Sequence, residues 1–165
     1  MKKTINVRVN DVDYTREVSS SKTLLDFLRE DLELTGAKKG CDNGDCGSCT
    51  ILLDGKPILS CLFLAVEADG HDILTIEGMS RGNRLHPLQE AFIEAGAIQC
   101  GYCTPGMVLA AKALLEENPN PTEGEIREAI AGHLCRCTGY GHIVTAIKNA
   151  ANREKVQEKG GCNIW

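Results

Sequence analysis

Ile5, Val7 and Val9 alternate with Asn6 and Arg8 near the start of the chain, the period of a strand with one buried face. Asn10–Asp13 is a polar turn, and Tyr14–Val18 returns as its predicted hairpin partner. Leu24, Leu25, Leu28 and Leu32 then recur at helical spacing, with Ser21 or Thr23 as the N-cap. Thr50–Leu53 and Pro57–Cys61 flank Asp54-Gly55, a strong hairpin signal. A last strand is expected over Ile73–Ile76, after the turn Ala68-Asp69-Gly70.

Beyond a linker at Glu77–His86 the pattern turns helical. Pro87–Ala95 is the first expected helix, and Thr104-Pro105 offers an N-cap with proline at the first position of the second. Met107, Ala110, Ala111 and Leu114 mark its inner face, and the turn at 117–121 ends it. Thr122 and Glu125 form a capping box for a third helix bearing Ile126, Ala129 and Ile130. Ile143, Ala146, Ile147 and Ala150 mark a fourth. Short helices with brief connections predict a four-helix bundle. The fold class expected is therefore α+β, divided at 1–78 and 79–153, with an extended tail over 154–165. A weak repeat places Cys103-Thr104 before the second helix and Cys137-Thr138 before the fourth, so two cysteine pairs would meet at one end of the bundle.

The composition of the 165 residues, 42% hydrophobic and 25% charged, is that of a globular protein. A net charge of −5 and an aromatic content of 4% argue against phosphate neutralisation and base stacking, so no nucleic-acid partner is expected. The N-terminal MKKTINVRVNDVDYT has no apolar run and no segment approaches membrane-spanning length, which predicts a cytoplasmic protein without membrane insertion.

Nine cysteines in a reducing compartment, an odd number, point to metal ligation over disulfides. Cys41, Cys46 and Cys49 follow C-x4-C-x2-C, and Cys61 comes after a further eleven residues. This is the plant-type ferredoxin spacing for a 2Fe–2S cluster. Gly40, Gly44 and Gly47 let the backbone curl around such a cluster. The competing reading is a zinc knuckle, but only Cys46 and Cys49 have its C-x2-C spacing. Cys100 and Cys103, with Cys135 and Cys137, form a second set whose spacing admits zinc or another 2Fe–2S cluster. Cys162 reads as a free thiol. His71, His86, His133 and His142 fall in no ligand pattern and read as surface or packing residues. No nucleotide-binding or serine-hydrolase motif occurs, and nothing resembles a substrate site.

The stretches GCDNGDCGSCTILLDGKPILSC (40–61), GAIQCGYCTPGM (96–107) and LCRCTGY (134–140) resemble the iron–sulfur subunit of the molybdenum hydroxylases, the family of xanthine dehydrogenase and aldehyde oxidoreductase. The resemblance implies a ferredoxin-like β-grasp domain and a four-helix domain, each with one 2Fe–2S cluster. It implies ligation by Cys41, Cys46, Cys49 and Cys61 in the first and by Cys100, Cys103, Cys135 and Cys137 in the second. It also implies a large partner subunit with the molybdenum pterin cofactor and a medium subunit with FAD. By position, Gln99 and Cys137 resemble the residues that touch the molybdopterin. Ser48 departs from the alanine common in the family. A free-standing two-cluster ferredoxin and a zinc-binding structural module are the other readings. The substrate class, whether purine, other N-heterocycle, aldehyde or carbon monoxide, is not written in the chain.

Overall fold

The computed structural model describes residues 1–159, with side chains to Arg153. Strand β1 (Lys2–Val9) buries Ile5, Val7 and Val9 and pairs antiparallel with β2 (Val12–Ser19). Asn10 and Asp11 between them both have positive φ, 51° and 67°, the tight turn whose twist matches the strands it joins. Asp54 and Gly55, at 49° and 78°, do the same between β3 (Thr50–Leu53) and β4 (Lys56–Leu59). Strand β4 ends before Cys61, which lies in the following turn.

Among the described residues these strands and β5 (Asp72–Leu74) form one mixed sheet of order β2-β1-β5-β3-β4, with β5 parallel to β1 and antiparallel to β3. Strand β5 stops earlier than its hydrophobic pattern predicts. The Asn10 side chain accepts from the Thr75 N–H and donates to the Thr75 hydroxyl, both at 2.9 Å, so Thr75 satisfies its backbone on a side chain rather than a neighbouring strand. A 3-10 turn (Ile76–Met79) follows and opens the expected linker. Helix α1 (Leu24–Asp26) is capped by Thr23 and widens at once into a π turn (Phe27–Asp31). Leu24, Leu25, Phe27 and Leu28 are all fully buried there, a broader arc than the stripe in the sequence.

The second half contains α2 (Pro87–Glu94), α3 (Thr104–Glu117), α4 (Glu123–Ala129) and α5 (Gly141–Lys159). The capping box of Thr122 and Glu125 is formed. The N-cap of α3 is Cys103, not Thr104, which is already helical. Helix α5 begins three residues after Thr138, so the repeat of cysteine pairs at helix starts holds for α3 alone. It runs through Lys159, into the stretch expected to be an extended tail; Cys162 and Trp165 lie outside the described residues.

Among the described residues two hydrophobic cores result. Ile5, Val7, Leu24, Leu25, Phe27, Ile51 and Ile73 build the first, between the sheet and α1. Leu88, Phe92, Met107, Leu109, Ile126, Ile143 and Ile147 build the second with Met79, and Leu52 joins them from the first half. Strand β3 explains the join. Its side chains alternate, so Ile51 enters one core and Leu52 the other, and α3 packs against the strand.

Candidate metal centres

The loop between α1 and β3 is pinned at its ends by Lys38 N–H to Ser48 C=O (2.9 Å) and Thr50 N–H to Gly47 C=O (3.1 Å). Between these ties Asp42, Gly44 and Gly47 all take positive φ, which turns successive N–H groups inward. The N–H of Asn43, then those of Cys46 and Asp45, point at the Cys41 thiol and hold it down to about 7, against its burial. Gly40 has no room for a side chain, since a Cβ there would lie 2.7 Å from Cys46 Sγ and 2.5 Å from Ser48 Oγ. The same hydroxyl lies 3.0 Å from Cys46 Sγ. Cys61 reaches in from beyond β4. Burial first, then contact with the Cys49 thiol, pushes it up to about 12, with the charge of Cys41 adding to the rise. The structure thus brings Cys41, Cys46, Cys49 and Cys61 together.

The second set converges from the α2–α3 and α4–α5 connections. Cys137 donates to the Cys100 sulfur at 3.5 Å, and both are exposed. The Tyr102 N–H, then contact with Cys137, lowers the Cys100 thiol. Cys103 is pushed up to about 12 by burial and then by contact with Cys135. Burial opposes ionisation of Cys135 too, but the Thr138 hydroxyl, 3.2 Å away, and the N–H groups of Thr138 and Cys137 outweigh it and hold that thiol low. The Tyr140 hydroxyl staples this loop, accepting from Cys135 N–H (2.9 Å) and donating to His133 C=O (3.1 Å).

Among the described residues, no three His, Cys, Asp or Glu side chains gather as they would around a single ion. The thiols meet instead as contacting pairs: Cys41 with Cys46, Cys49 with Cys61, Cys100 with Cys137, and Cys103 with Cys135. Two pairs in each set suit a dinuclear cluster, which takes two thiolates on each iron. Backbone N–H groups aimed at sulfur suit its negative charge, and bound metal would replace the protons that burial keeps on Cys61 and Cys103. The donor set fits the group.

The two sets are joined by hydrogen bonds. Leu134 N–H, next to Cys135, donates to the carbonyl of Cys46 at 3.0 Å. The Tyr102 hydroxyl donates to Lys39 C=O at 2.7 Å. Thr50 Oγ1 lies 3.0 Å from His133 Nε2. Gly47 and Gly106 approach closely, with a Cβ on Gly106 falling 2.4 Å from the Gly47 oxygen. Gln99 is exposed, one residue before exposed Cys100. The sequence reading missed Thr50, Tyr102, His133 and Tyr140. Thr50 and Tyr102 adjoin Cys49 and Cys103 in the chain, while His133 and Tyr140 stand two and three residues from the nearest cysteine, and that proximity was their local signal.

Family models agree with this two-part arrangement. A 2Fe-2S iron-sulfur cluster binding domain matches residues 7–74, and a 2Fe-2S binding domain matches residues 75–148. The chain is 49% identical over 150 residues to the nicotinate dehydrogenase small FeS subunit of Eubacterium barkeri, covering 91% of this chain and 96% of that one. It superimposes on a chain of quinoline 2-oxidoreductase from Pseudomonas putida 86 with a TM-score of 0.91 at 46% identity, covering 95% of this chain and 98% of the other. The aldehyde oxidoreductase of Desulfovibrio desulfuricans matches with a TM-score of 0.90 at 41% identity over 94% of this chain, which spans 17% of that longer one. With its two four-cysteine sets in these two domains, the chain belongs to the family of iron–sulfur subunits of the molybdenum hydroxylases.

Proposed function

We propose that this chain is the electron-transfer subunit of a multisubunit molybdenum hydroxylase. It relays electrons from a molybdenum pterin centre on a large subunit to FAD on a medium subunit, or to another acceptor. When bound, two 2Fe–2S clusters supply the one-electron carriers. Cys41 and Cys46 would hold one iron of the first cluster and Cys49 and Cys61 the other. Cys100 with Cys137, and Cys103 with Cys135, would hold the second. The first half then reads as a ferredoxin-like β-grasp domain (1–78) and the second as a four-helix bundle (79–153).

The observation that carries this reading is the convergence of eight cysteines into two sets that hydrogen-bond across one seam, Leu134 N–H to Cys46 C=O. A relay between fixed centres needs both sites held at constant separation, and this contact ties them. Exposed Cys100, Cys137 and Gln99, with Ile98, Tyr102 and Leu134 exposed around them, give the second set an open face for the molybdopterin partner. Leu62 and Leu64, exposed beside Cys61, give the first set another. No helix among the described residues is long and apolar enough to cross a membrane. The relatives act on N-heterocycles and aldehydes by name, and either class suits the holoenzyme.

Iron and acid-labile sulfide analysis tests the reading. Two irons and two sulfides are expected for each of the two domains, with larger flavin and molybdenum polypeptides co-purifying. Zinc at both sites would overturn it, and a chain that purifies alone with both clusters would favour a free-standing ferredoxin.

A further inference from the structure

We propose that His133 is a positioning residue. Donating through Nε2–H, it is the strut that sets the separation, and therefore the electronic coupling, of the two cysteine sets. The inference rests on the relay reading above and deepens it.

The imidazole is 7% exposed and lies in the seam between the halves, two residues before Cys135. Its Nε2 is 3.0 Å from the hydroxyl of Thr50, which is 1% exposed and directly follows Cys49. That hydroxyl also lies 2.7 Å from the carbonyl of Gly47. A carbonyl can only accept, so the Thr50 hydrogen is committed there, and His133 must be the donor through Nε2–H. The remaining ring nitrogen, Nδ1, has no such partner. It is buried and takes no hydrogen bond from any described residue.

Two glycines, one from each half, make the slot. A Cβ on Gly47 would come within 2.7 Å of the ring carbon Cδ2, and one on Gly106 within 3.4 Å. Gly47 sits between Cys46 and Cys49, and Gly106 in the first turn of α3, shortly after Cys103. The ring thus bears on the backbone of both cysteine-bearing segments while Leu134 N–H reaches Cys46 C=O at 3.0 Å. An apolar side chain would fill the same space without burying a nitrogen that has no partner. What the imidazole adds is one directed bond onto the residue after Cys49, which fixes a distance as packing alone does not.

The test uses the assembled enzyme carrying His133→Leu, His133→Gln or Thr50→Val. Iron and sulfide content, the magnetic splitting between the two reduced clusters, and the rate of electron passage between them are measured on each. His133→Leu and Thr50→Val are expected to retain parent iron and sulfide, to change the splitting, and to slow the passage several-fold. His133→Gln, whose amide N–H reaches the place of Nε2, is expected to restore both. Parent splitting and rate in His133→Leu, or a glutamine variant no better than leucine, would overturn the proposal. If His133→Leu fails to assemble, Thr50→Val is read beside His133→Gln, because it leaves the ring in place but removes the hydroxyl's bonds to both Nε2 and the Gly47 carbonyl; unchanged splitting in Thr50→Val, or altered splitting in His133→Gln, is equally fatal. A parent enzyme lacking the second cluster would sink the relay reading itself.

Discussion

Gly106 stands in the first turn of α3, where helix propensity alone would favour alanine by about 1 kcal/mol. The seam reverses that preference. A Cβ there would meet the backbone oxygen of Gly47 at 2.4 Å, and backbone cannot swing aside as a side chain can. Gly106→Ala is expected to destabilise the protein by about 1–3 kcal/mol in urea unfolding, the usual cost of overpacking. Gly124, in α4, is the contrasting case, with only the Thr122 hydroxyl near its Cβ position, at 3.9 Å. Gly124→Ala should stabilise by about 0.5–1 kcal/mol in the same assay. Equal effects at the two positions would show that the close approach of Gly106 is not what matters.

At the scale of elements, β3 does two jobs because its side chains alternate. Ile51 belongs to the core under the sheet, while Thr50 and Leu52 face the helices, Thr50 through His133 and Leu52 within the second core. Leu52 is 1% exposed, so Leu52→Ala should cost about 2–5 kcal/mol, the range for a buried leucine truncated to alanine. The two halves share this strand, so far-ultraviolet dichroism and cluster absorbance should be lost at one shifted midpoint. Two separated transitions would mean that the halves unfold independently and that β3 does not couple them.

The stability of the whole molecule should depend on pH through His86, the N-cap of α2. Burial first, then the Lys112 ammonium, lowers this imidazole from the usual 6.5 to about 4, and its Nδ1 already accepts from Leu88 N–H at 3.2 Å. Between these values the unfolded chain binds a proton that the native chain refuses. Stability is therefore full above pH 6.5, falls as pH drops towards 4, and loses no more to this group below that. The loss amounts to about 3 kcal/mol. His86→Asn keeps a capping oxygen and removes the titration. Measured against the parent, the variant should gain by about that amount between pH 7 and pH 4, while acid lability shared by both proteins cancels. A constant difference across that range would show that His86 does not titrate in this way.

The sequence alone marked the loop of Cys41, Cys46 and Cys49 as cluster-type, because ligand spacing along a short loop is a local property, while the spacing of the second set admitted zinc as well. C-x4-C-x2-C and its glycines name a cluster loop whatever surrounds them, and Asp54-Gly55 and the box of Thr122 and Glu125 were equally legible as local signals. Periodicity also found the strands and helices, and with them the α+β class. It placed some ends poorly, as at β5, where the bond from Asn10 to Thr75 spans 65 residues of chain. Only the tertiary structure decided how the two cysteine sets relate. The partners in the seam, Thr50 with His133, Cys46 with Leu134 and Gly47 with Gly106, lie more than fifty residues apart in the chain. No periodicity or motif encodes such pairings. They exist because β3 is buried on both faces, which brings α3 and the loop before Cys135 against the first cysteine loop.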